Sequence, residues 1–236
     1  MDINLIIESV PKLLKGALLS LELVALSMVL GMLLAIPLAL FRNSRKSWIR
    51  VPAYCYIYFF RATPLLVQMF LVYYGFSQFE AVRNSFLWPI LREAYWCAII
   101  AFTLNTSAYT GEILRGAISS VKWGQIEAGR SVGMSKYLQF RRIIGPQAVI
   151  LGLPGYSNEI ILLLKSSSLA STITLMELTG LTRNIIAITF KPVELFLLAG
   201  IIYMSLTFVI TRVFNLVEHK ITTYRRPLVE QEISQG

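Results

Sequence analysis

The chain has 236 residues, of which 56% are hydrophobic and 15% are charged, and its mean hydropathy is +0.63. A soluble domain of this length needs a more polar surface, so the composition indicates a membrane protein with several spans. The net charge is +9, but the basic residues form short clusters between apolar segments. Membrane topology explains such clusters better than a nucleic-acid partner, and we predict no nucleic-acid binding.

Apolar segments of membrane-spanning length recur along the chain, since a helix needs ~20 residues to cross a bilayer. We predict an all-α polytopic membrane protein in which residues 1–236 form a single transmembrane domain. Residues 1–15 are either an amphipathic segment at the interface or a disordered terminus. The five spans are predicted at about 16–41, 51–75, 94–121, 146–168 and 193–216, with a polar loop at 122–145 and a helical pattern near 175–188.

Five spans place the termini on opposite sides of the membrane, and the distribution of Lys and Arg decides which terminus is cytoplasmic. Fourteen basic residues lie on one side, in clusters from Arg42 to Arg50, Arg115 to Arg142 and Arg212 to Arg226, and seven lie on the other. Cytoplasmic segments carry the excess of Lys and Arg. The sequence therefore predicts an external N-terminus, with the C-terminus and the 122–145 loop in the cytoplasm.

Span two and span three carry polar groups at depths where such groups are costly. In span two, Arg61 precedes Pro64, which lacks a backbone donor, and Arg61 is more often structural than substrate-facing. In span three, Asn105, Tyr109 and Glu112 share one helical face with Gly116. That stripe favours a polar passage or polar contacts between helices, and the sequence does not choose between them.

Span four is predicted to break at the segment Gly152–Gly155, which contains Pro154. Irregular backbone at membrane depth survives only beside protein or a water-filled cavity. Glu159 follows this segment and is a candidate cation site, unless it is paired internally with Arg61 or Lys165.

The polar loop is predicted to form a short helix from Gln125 to Ser131, with Glu127 near its start, where a negative charge suits the helix dipole. Gly133 is expected to end this helix, a second short helix begins at Ser135, and Pro146 opens the next apolar run. An ordinary cytoplasmic loop is the alternative to a helix that docks on a partner.

The spacing within this loop resembles the EAA loop of the membrane subunits of bacterial ABC importers. Glu127-Ala128 is followed by Gly133 after six residues and then by Ile143-x-x-Pro146, while Gly129 replaces the usual second alanine and Gly145 the usual leucine. In that family the loop forms the coupling helix that fits a cleft in the ATPase subunit. The resemblance implies a coupling role for Glu127, Ala128, Gly129, Gly133 and Met134.

Four further segments are similar to permeases for polar amino acids. They are Arg61-Ala-Thr-Pro-Leu-Leu-Val-Gln, Thr103-Leu-Asn-Thr-Ser-Ala-Tyr-Thr-Gly-Glu112, Pro154-Gly-Tyr-Ser-Asn-Glu159 and Lys165-Ser-Ser-Ser-Leu. In the subunits that serve arginine, ornithine, histidine and opines, the last carboxylate faces the transported cationic side chain. The resemblance assigns that role to Glu159, with Asn105, Tyr109, Thr63, Ser157 and Glu112 as weaker candidates for substrate binding.

The sequence lacks a Gly-x-x-x-x-Gly-Lys-Ser/Thr phosphate loop, and its one histidine is His219. We therefore predict no cofactor, no metal and no catalytic residue, and ATP hydrolysis by a separate subunit.

The resemblance implies the fold of a type I ABC importer permease in the bacterial inner membrane. Its expected partners are a cytoplasmic ATP-binding subunit, a second permease subunit, identical or homologous, a periplasmic substrate-binding protein and the lipid bilayer. The alternatives are a secondary transporter or channel for cationic solutes that works without an ATPase, and a membrane-bound enzyme or assembly factor.

Overall fold

A computed structural model describes residues 3–222 of the chain. Arg225 and Arg226, which were counted among the basic residues that predict the topology, lie outside this range. Within it the chain forms helices and no strand. The α-helices are α1 Ile3–Arg42, α2 Ser47–Ala62, α3 Leu65–Phe70, α4 Glu80–Arg83, α5 Trp88–Leu91, α6 Ala94–Ser119, α7 Trp123–Ser131, α8 Lys136–Gln139, α9 Gly145–Ser166, α10 Leu178–Thr189 and α11 Pro192–Thr222.

The centre of the fold is the packing of α6 against α1, which is the most extensive contact between any two helices. Leu23 and Met28 of α1 are buried with Phe102 of α6 in the main apolar core. The α9 helix packs on α6 from another direction and adds Leu163 and Leu164 to the same core. The polar face of α6 is therefore held inside the helical bundle.

The start of the chain is helical and continuous with the first predicted span. The α1 helix begins at Ile3 rather than near residue 16. Leu13 and Ala17 are buried against Leu178 of α10 and Ala199 of α11 in a second apolar core. The described part of residues 1–15 is therefore an ordered helix and not a disordered terminus.

Three helical stretches within residues 3–222 are long and apolar enough to cross a membrane, namely Asn4–Arg42, Lys136–Ile173 and Pro192–Ile221. A fourth span is added if two helices joined by a bend count as one. The α6 helix, with 26 residues, is not among them. Its interior position explains this, because a helix buried among other helices can carry polar residues that lipid would not tolerate.

The second predicted span is bent rather than straight. Ser47–Ala62 and Leu65–Gln78 meet at 103°. Between them Thr63 (φ −104°, ψ 144°) and Pro64 (φ −63°, ψ 135°) are extended. A proline disfavours helical backbone in the residue before it and cannot donate to the preceding turn, so the sequence Thr63-Pro64 ends the helix.

The predicted break in the fourth span is wrong, because α9 continues as one helix through Pro154. The neighbouring glycines instead allow α9 to approach α6 closely. A Cβ atom on Gly155 would lie 3.1 Å from Ile113 Cγ2, and one on Gly152 would lie 3.3 Å from Ala117 Cβ. Small residues commonly serve this purpose where membrane helices pack.

The predicted helical pattern near 175–188 is confirmed by α10, which Glu177 ties to the bundle. The Glu177 carboxylate is fully buried and caps α10 by accepting hydrogen bonds from the backbone N–H groups of Thr179 (2.9 Å) and Gly180 (2.8 Å). It also accepts one from the Tyr203 hydroxyl of α11 at 3.0 Å and one from Ser20 of α1 at 3.3 Å.

Candidate functional site

A polar cavity of about 400 Å³ lies between α2, α3, α6 and α9. The bend after Ala62 opens this space, because it turns α3 away from the axis of α2. The polar residues among those lining the cavity are Arg61, Thr63, Asn105, Tyr109, Glu159 and Ser166. Four of the six predicted substrate residues, Thr63, Asn105, Tyr109 and Glu159, thus come together here.

Glu159 is the only acidic residue in the lining of this cavity, and its side chain is 6% exposed. Thr106 of α6 donates a hydrogen bond of 3.0 Å from Oγ1 to Glu159 Oε1. The ion pairs within residues 3–222 join Arg42 or Arg115 to Glu112 and Arg92 to Glu93. Glu159 therefore has no ion-pair partner in the described chain, and neither alternative pairing, with Arg61 or with Lys165, forms.

Arg61 lies at the cavity wall, with its guanidinium over the ring of Tyr109 at 5.2 Å from the centroid. A cation–π contact of this kind fixes the side chain through the face of the guanidinium. The N–H groups at the guanidinium edge remain free to bind a ligand.

Two of the predicted substrate residues also hold the bend in place. Gln68 Nε2 donates to Phe60 O (2.9 Å) and to Thr63 Oγ1 (2.7 Å), and Asn105 Nδ2 donates to Gln68 Oε1 (2.9 Å) and Phe60 O (3.2 Å). These bonds satisfy the polar groups that the broken helix leaves unpaired, as buried polar groups require. Sequence reasoning assigned no role to Gln68 or to Thr106. The signal for Gln68 was a polar side chain four residues after the helix-ending proline.

A second cavity of about 360 Å³ continues along α6 towards α7. Arg61, Ala62 and Tyr109 line both cavities. The residues lining the second cavity are Arg42, Tyr54, Ile57, Tyr58, Arg61, Ala62, Tyr109 and Glu112. Asn105, Tyr109 and Glu112 therefore face a polar space, which is one of the two alternatives for the stripe on α6, whereas Ser157 and Gly116 line neither cavity.

Glu112 is already bound to a neighbouring cation. Arg115 Nη2 lies 2.6 Å and Arg115 Nε 2.7 Å from Glu112 Oε1, one turn apart on α6. This pairing makes Glu112 a weaker candidate for a transported cation than Glu159, whose charge has no such partner.

The predicted loop forms two helices connected by a tight turn. The α7 helix is followed by Gly133 at φ +76°, a conformation that suits glycine, and Ser135 caps α8 by accepting a bond of 3.3 Å from Leu138 N. The α8 helix then continues through a π-helical segment, Phe140–Ile144, into α9, with Pro146 in the first turn of α9. The predicted turn at Gly133, the second helix beginning at Ser135 and the position of Pro146 are confirmed, and the structure adds that Ser135 is the cap of that helix.

Glu127 does not lie near the start of its helix, because α7 begins at Trp123. Glu127 is instead exposed in the middle of α7, where its carboxylate accepts a bond of 2.7 Å from Trp123 Nε1. The indole ring of Trp123 is held from the other side by Arg130, whose guanidinium lies 4.9 Å from the ring centroid. Ala128 is exposed beside Glu127.

The substitution at Gly129 has a local explanation. Gly129 is buried, and a Cβ atom there would lie 2.8 Å from Ile143 Cδ1 and 3.4 Å from Met134 Sδ. The glycine lets Ile143 pack closely on α7, so an alanine at this position would have to displace that side chain. Gly129 and Met134 thus shape the turn, while Glu127 and Ala128 face solvent.

Apolar helices that surround a polar cavity, together with an exposed helical loop, are the architecture expected of a membrane transport subunit. The chain is 53% identical over 219 residues to the octopine transport system permease protein OccM of Rhizobium meliloti, covering 93% of this chain and 89% of that protein. It is 40% identical over 213 residues to the histidine/lysine/arginine/ornithine transport system permease protein HisM of Escherichia coli K12, covering 90% of each. A crystal structure of an amino acid ABC transporter with histidines superposes with a TM-score of 0.84 at 32% identity, covering 93% of this chain and 99% of that chain.

Residues 27–223 match the family described as the inner membrane component of binding-protein-dependent transport systems. The chain belongs to this family and is an inner-membrane permease subunit of an ABC importer.

Proposed function

We propose that this permease subunit carries basic amino acids or related opines across the inner membrane. The observation that carries the proposal is the Glu159 carboxylate, which is buried in the wall of a polar cavity without an ion-pair partner. A buried carboxylate of this kind is costly unless a cation neutralises it, and a guanidinium or ammonium group does so well. Relatives named for transport of octopine and of histidine, lysine, arginine and ornithine support this substrate class.

We further propose that α7 couples the transport cycle to a separate ATP-binding subunit. Its exposed surface combines the Glu127 carboxylate with Trp123, which is 54% exposed, and the turn after it adds Val132, which is 75% exposed. Apolar side chains beside a charge on a short exposed helix are suited to a groove on a partner protein. Movement of α7 would reach the cavity through α9, since α8 runs into α9 without an interruption.

The proposed assembly contains two such permease subunits and a periplasmic substrate-binding protein. We propose five spans with the N-terminus outside, so that α7 lies in the cytoplasm. Cysteine labelling tests this: Ser135→Cys, placed in a chain whose Cys55 and Cys97 are replaced by alanine, should react with a membrane-impermeant reagent only after the cells are opened. Labelling of intact cells would refute the orientation.

The substrate class is tested with the reconstituted complex of permease, ATP-binding subunit and binding protein. Substrate-stimulated ATP hydrolysis is measured with arginine, ornithine, lysine, histidine, octopine and a neutral amino acid. We expect stimulation by the cationic ligands, and we expect Glu159→Gln to weaken arginine uptake at least tenfold, since a charge-assisted bond contributes about 1.5–3 kcal/mol. Glu80→Gln, at an exposed position of α4, is the control. Unchanged arginine uptake by a correctly assembled Glu159→Gln complex would refute the assignment.

A further inference from the structure

The two cavities along α6 differ in charge. The first is lined by one carboxylate, Glu159, and one guanidinium, Arg61. The second is lined by the guanidinium groups of Arg42 and Arg61, and its one carboxylate, Glu112, is shared between ion pairs with Arg42 (4.0 Å) and Arg115 (2.6 Å). The second cavity therefore has an excess of positive charge, which suits an anion.

One N–H donor of the Arg42 guanidinium has no hydrogen-bond acceptor within the described residues. Its Nε is buried and makes no hydrogen bond within the described residues. The nearest carboxylate oxygen, Glu112 Oε2, is 4.0 Å away and is itself without a hydrogen bond. Glu112 therefore neutralises Arg42 only in part, because its contact with Arg42 is longer than a hydrogen bond and its other oxygen is held by Arg115.

The side chains of both arginines are held in orientations that leave donors available. Arg42 lies over the Tyr54 ring at 4.8 Å and Arg61 over the Tyr109 ring at 5.2 Å from the centroid. Contact through the guanidinium face fixes each group without using its in-plane N–H donors. Those donors match a carboxylate, which a guanidinium can bind through two parallel hydrogen bonds.

We propose that Arg42 and Arg61 form a subsite for the carboxylate end of the substrate, while Glu159 binds its cationic end. The inference rests on the proposed function, because it assumes an amino acid that carries both charges. Arg61, Ala62 and Tyr109 border both cavities, so one extended ligand can occupy the two. The carboxylate end then lies nearer α7, because the second cavity is at the α7 end of α6.

The test compares arginine with agmatine, which is arginine without its carboxylate. Binding of radiolabelled arginine to the purified complex of permease and ATP-binding subunit is measured directly, and agmatine is the competitor. We expect the wild-type complex to bind arginine at least tenfold more tightly than agmatine. Arg61→Gln should weaken arginine binding ~10–100-fold, because it removes a charge-assisted interaction, and should leave agmatine binding unchanged or tighter. Arg42→Gln should produce the same selective loss.

Two further variants distinguish a ligand contact from a structural role. Arg61→Lys keeps the charge but loses the planar fork, so it should restore part of the preference for arginine. Arg92→Gln, which removes an exposed arginine paired with Glu93, should leave the binding of both ligands unchanged.

Three results would overturn the subsite. In the first, which needs no variant, the wild-type complex binds agmatine as tightly as arginine. In the second, Arg61→Gln weakens the binding of arginine and of agmatine equally. In the third, the wild-type complex binds neither ligand, nor ornithine or octopine, which would refute the proposed substrate class as well.

Discussion

Thr106 of α6 holds the carboxylate of Glu159 in α9 through a hydrogen bond of 3.0 Å, and Thr106 is itself fully buried. This bond crosses the interface between two helices at the wall of the first cavity. It fixes where the carboxylate points before any ligand arrives, and orientation in advance lowers the entropic cost of binding.

Thr106→Val should therefore weaken substrate recognition, because valine keeps the shape of the side chain and removes the donor. We expect the KM for arginine uptake to rise about tenfold, equivalent to about 1.4 kcal/mol. The measurement is initial uptake by the reconstituted complex over a range of arginine concentrations. Thr106→Ser retains the hydroxyl and should stay within about twofold of the wild type. A valine variant with the wild-type KM would show that the bond does not position the carboxylate.

Gln68→Leu should destabilise the bend between α2 and α3. The change removes the hydrogen bonds of Gln68 to Phe60 O (2.9 Å), Thr63 Oγ1 (2.7 Å) and Asn105 Nδ2 (2.9 Å), and each lost bond costs about 0.5–1.5 kcal/mol. The bond of 3.2 Å from Asn105 Nδ2 to Phe60 O remains. We expect a lower midpoint of thermal unfolding for the purified complex. The matched control is Gln78→Leu, because Gln78 is exposed. Equal midpoints for the two variants would contradict a stabilising role for Gln68.

Gly155→Ala should force α9 away from α6, since the added methyl group would lie 3.1 Å from Ile113 Cγ2. Overpacking of this kind costs about 1–3 kcal/mol. We expect reduced thermal stability and slower uptake. Ile113→Ala in the same chain removes the Cγ2 atom that the methyl group meets and should recover part of the loss, which a double-mutant cycle measures.

Gly200→Ala in α11 is the control for this prediction, because a Cβ atom there meets nothing within 4 Å. If Gly200→Ala and Gly155→Ala have the same effect, the loss arises from helix propensity or lipid contacts rather than from the contact between α6 and α9.

Glu127→Arg should uncouple ATP hydrolysis from transport, because Glu127 is exposed on the proposed contact surface and the change reverses its charge. We expect the number of ATP molecules hydrolysed per arginine transported to rise several-fold, measured in proteoliposomes. Glu127→Gln is a matched comparison, since its amide oxygen can still accept the bond from Trp123 Nε1. An unchanged ratio in the arginine variant would count against coupling through α7.

The sequence alone determined the protein class, the helical architecture and much of the local geometry. Composition predicted an apolar helical membrane protein because long apolar segments require a bilayer. Residue-specific backbone preferences correctly predicted the turn at Gly133, the second short helix after it and the first-turn position of Pro146, since each depends on a few neighbouring residues. The period of the α-helix placed Asn105, Tyr109 and Glu112 on one face.

Only the tertiary structure decided what the prolines and the charged side chains do. Pro64 ends a helix, whereas α9 continues through Pro154. At the first site Asn105 and Gln68 supply partners for the freed polar groups, and beside the second the glycines pack α9 on α6. Likewise Glu112 forms an ion pair with Arg115, whereas Glu159 has no ion-pair partner within the described residues. The energy of a buried charge depends on what lies within a few ångströms in space, and that set of neighbours is assembled from α1, α2, α6 and α9.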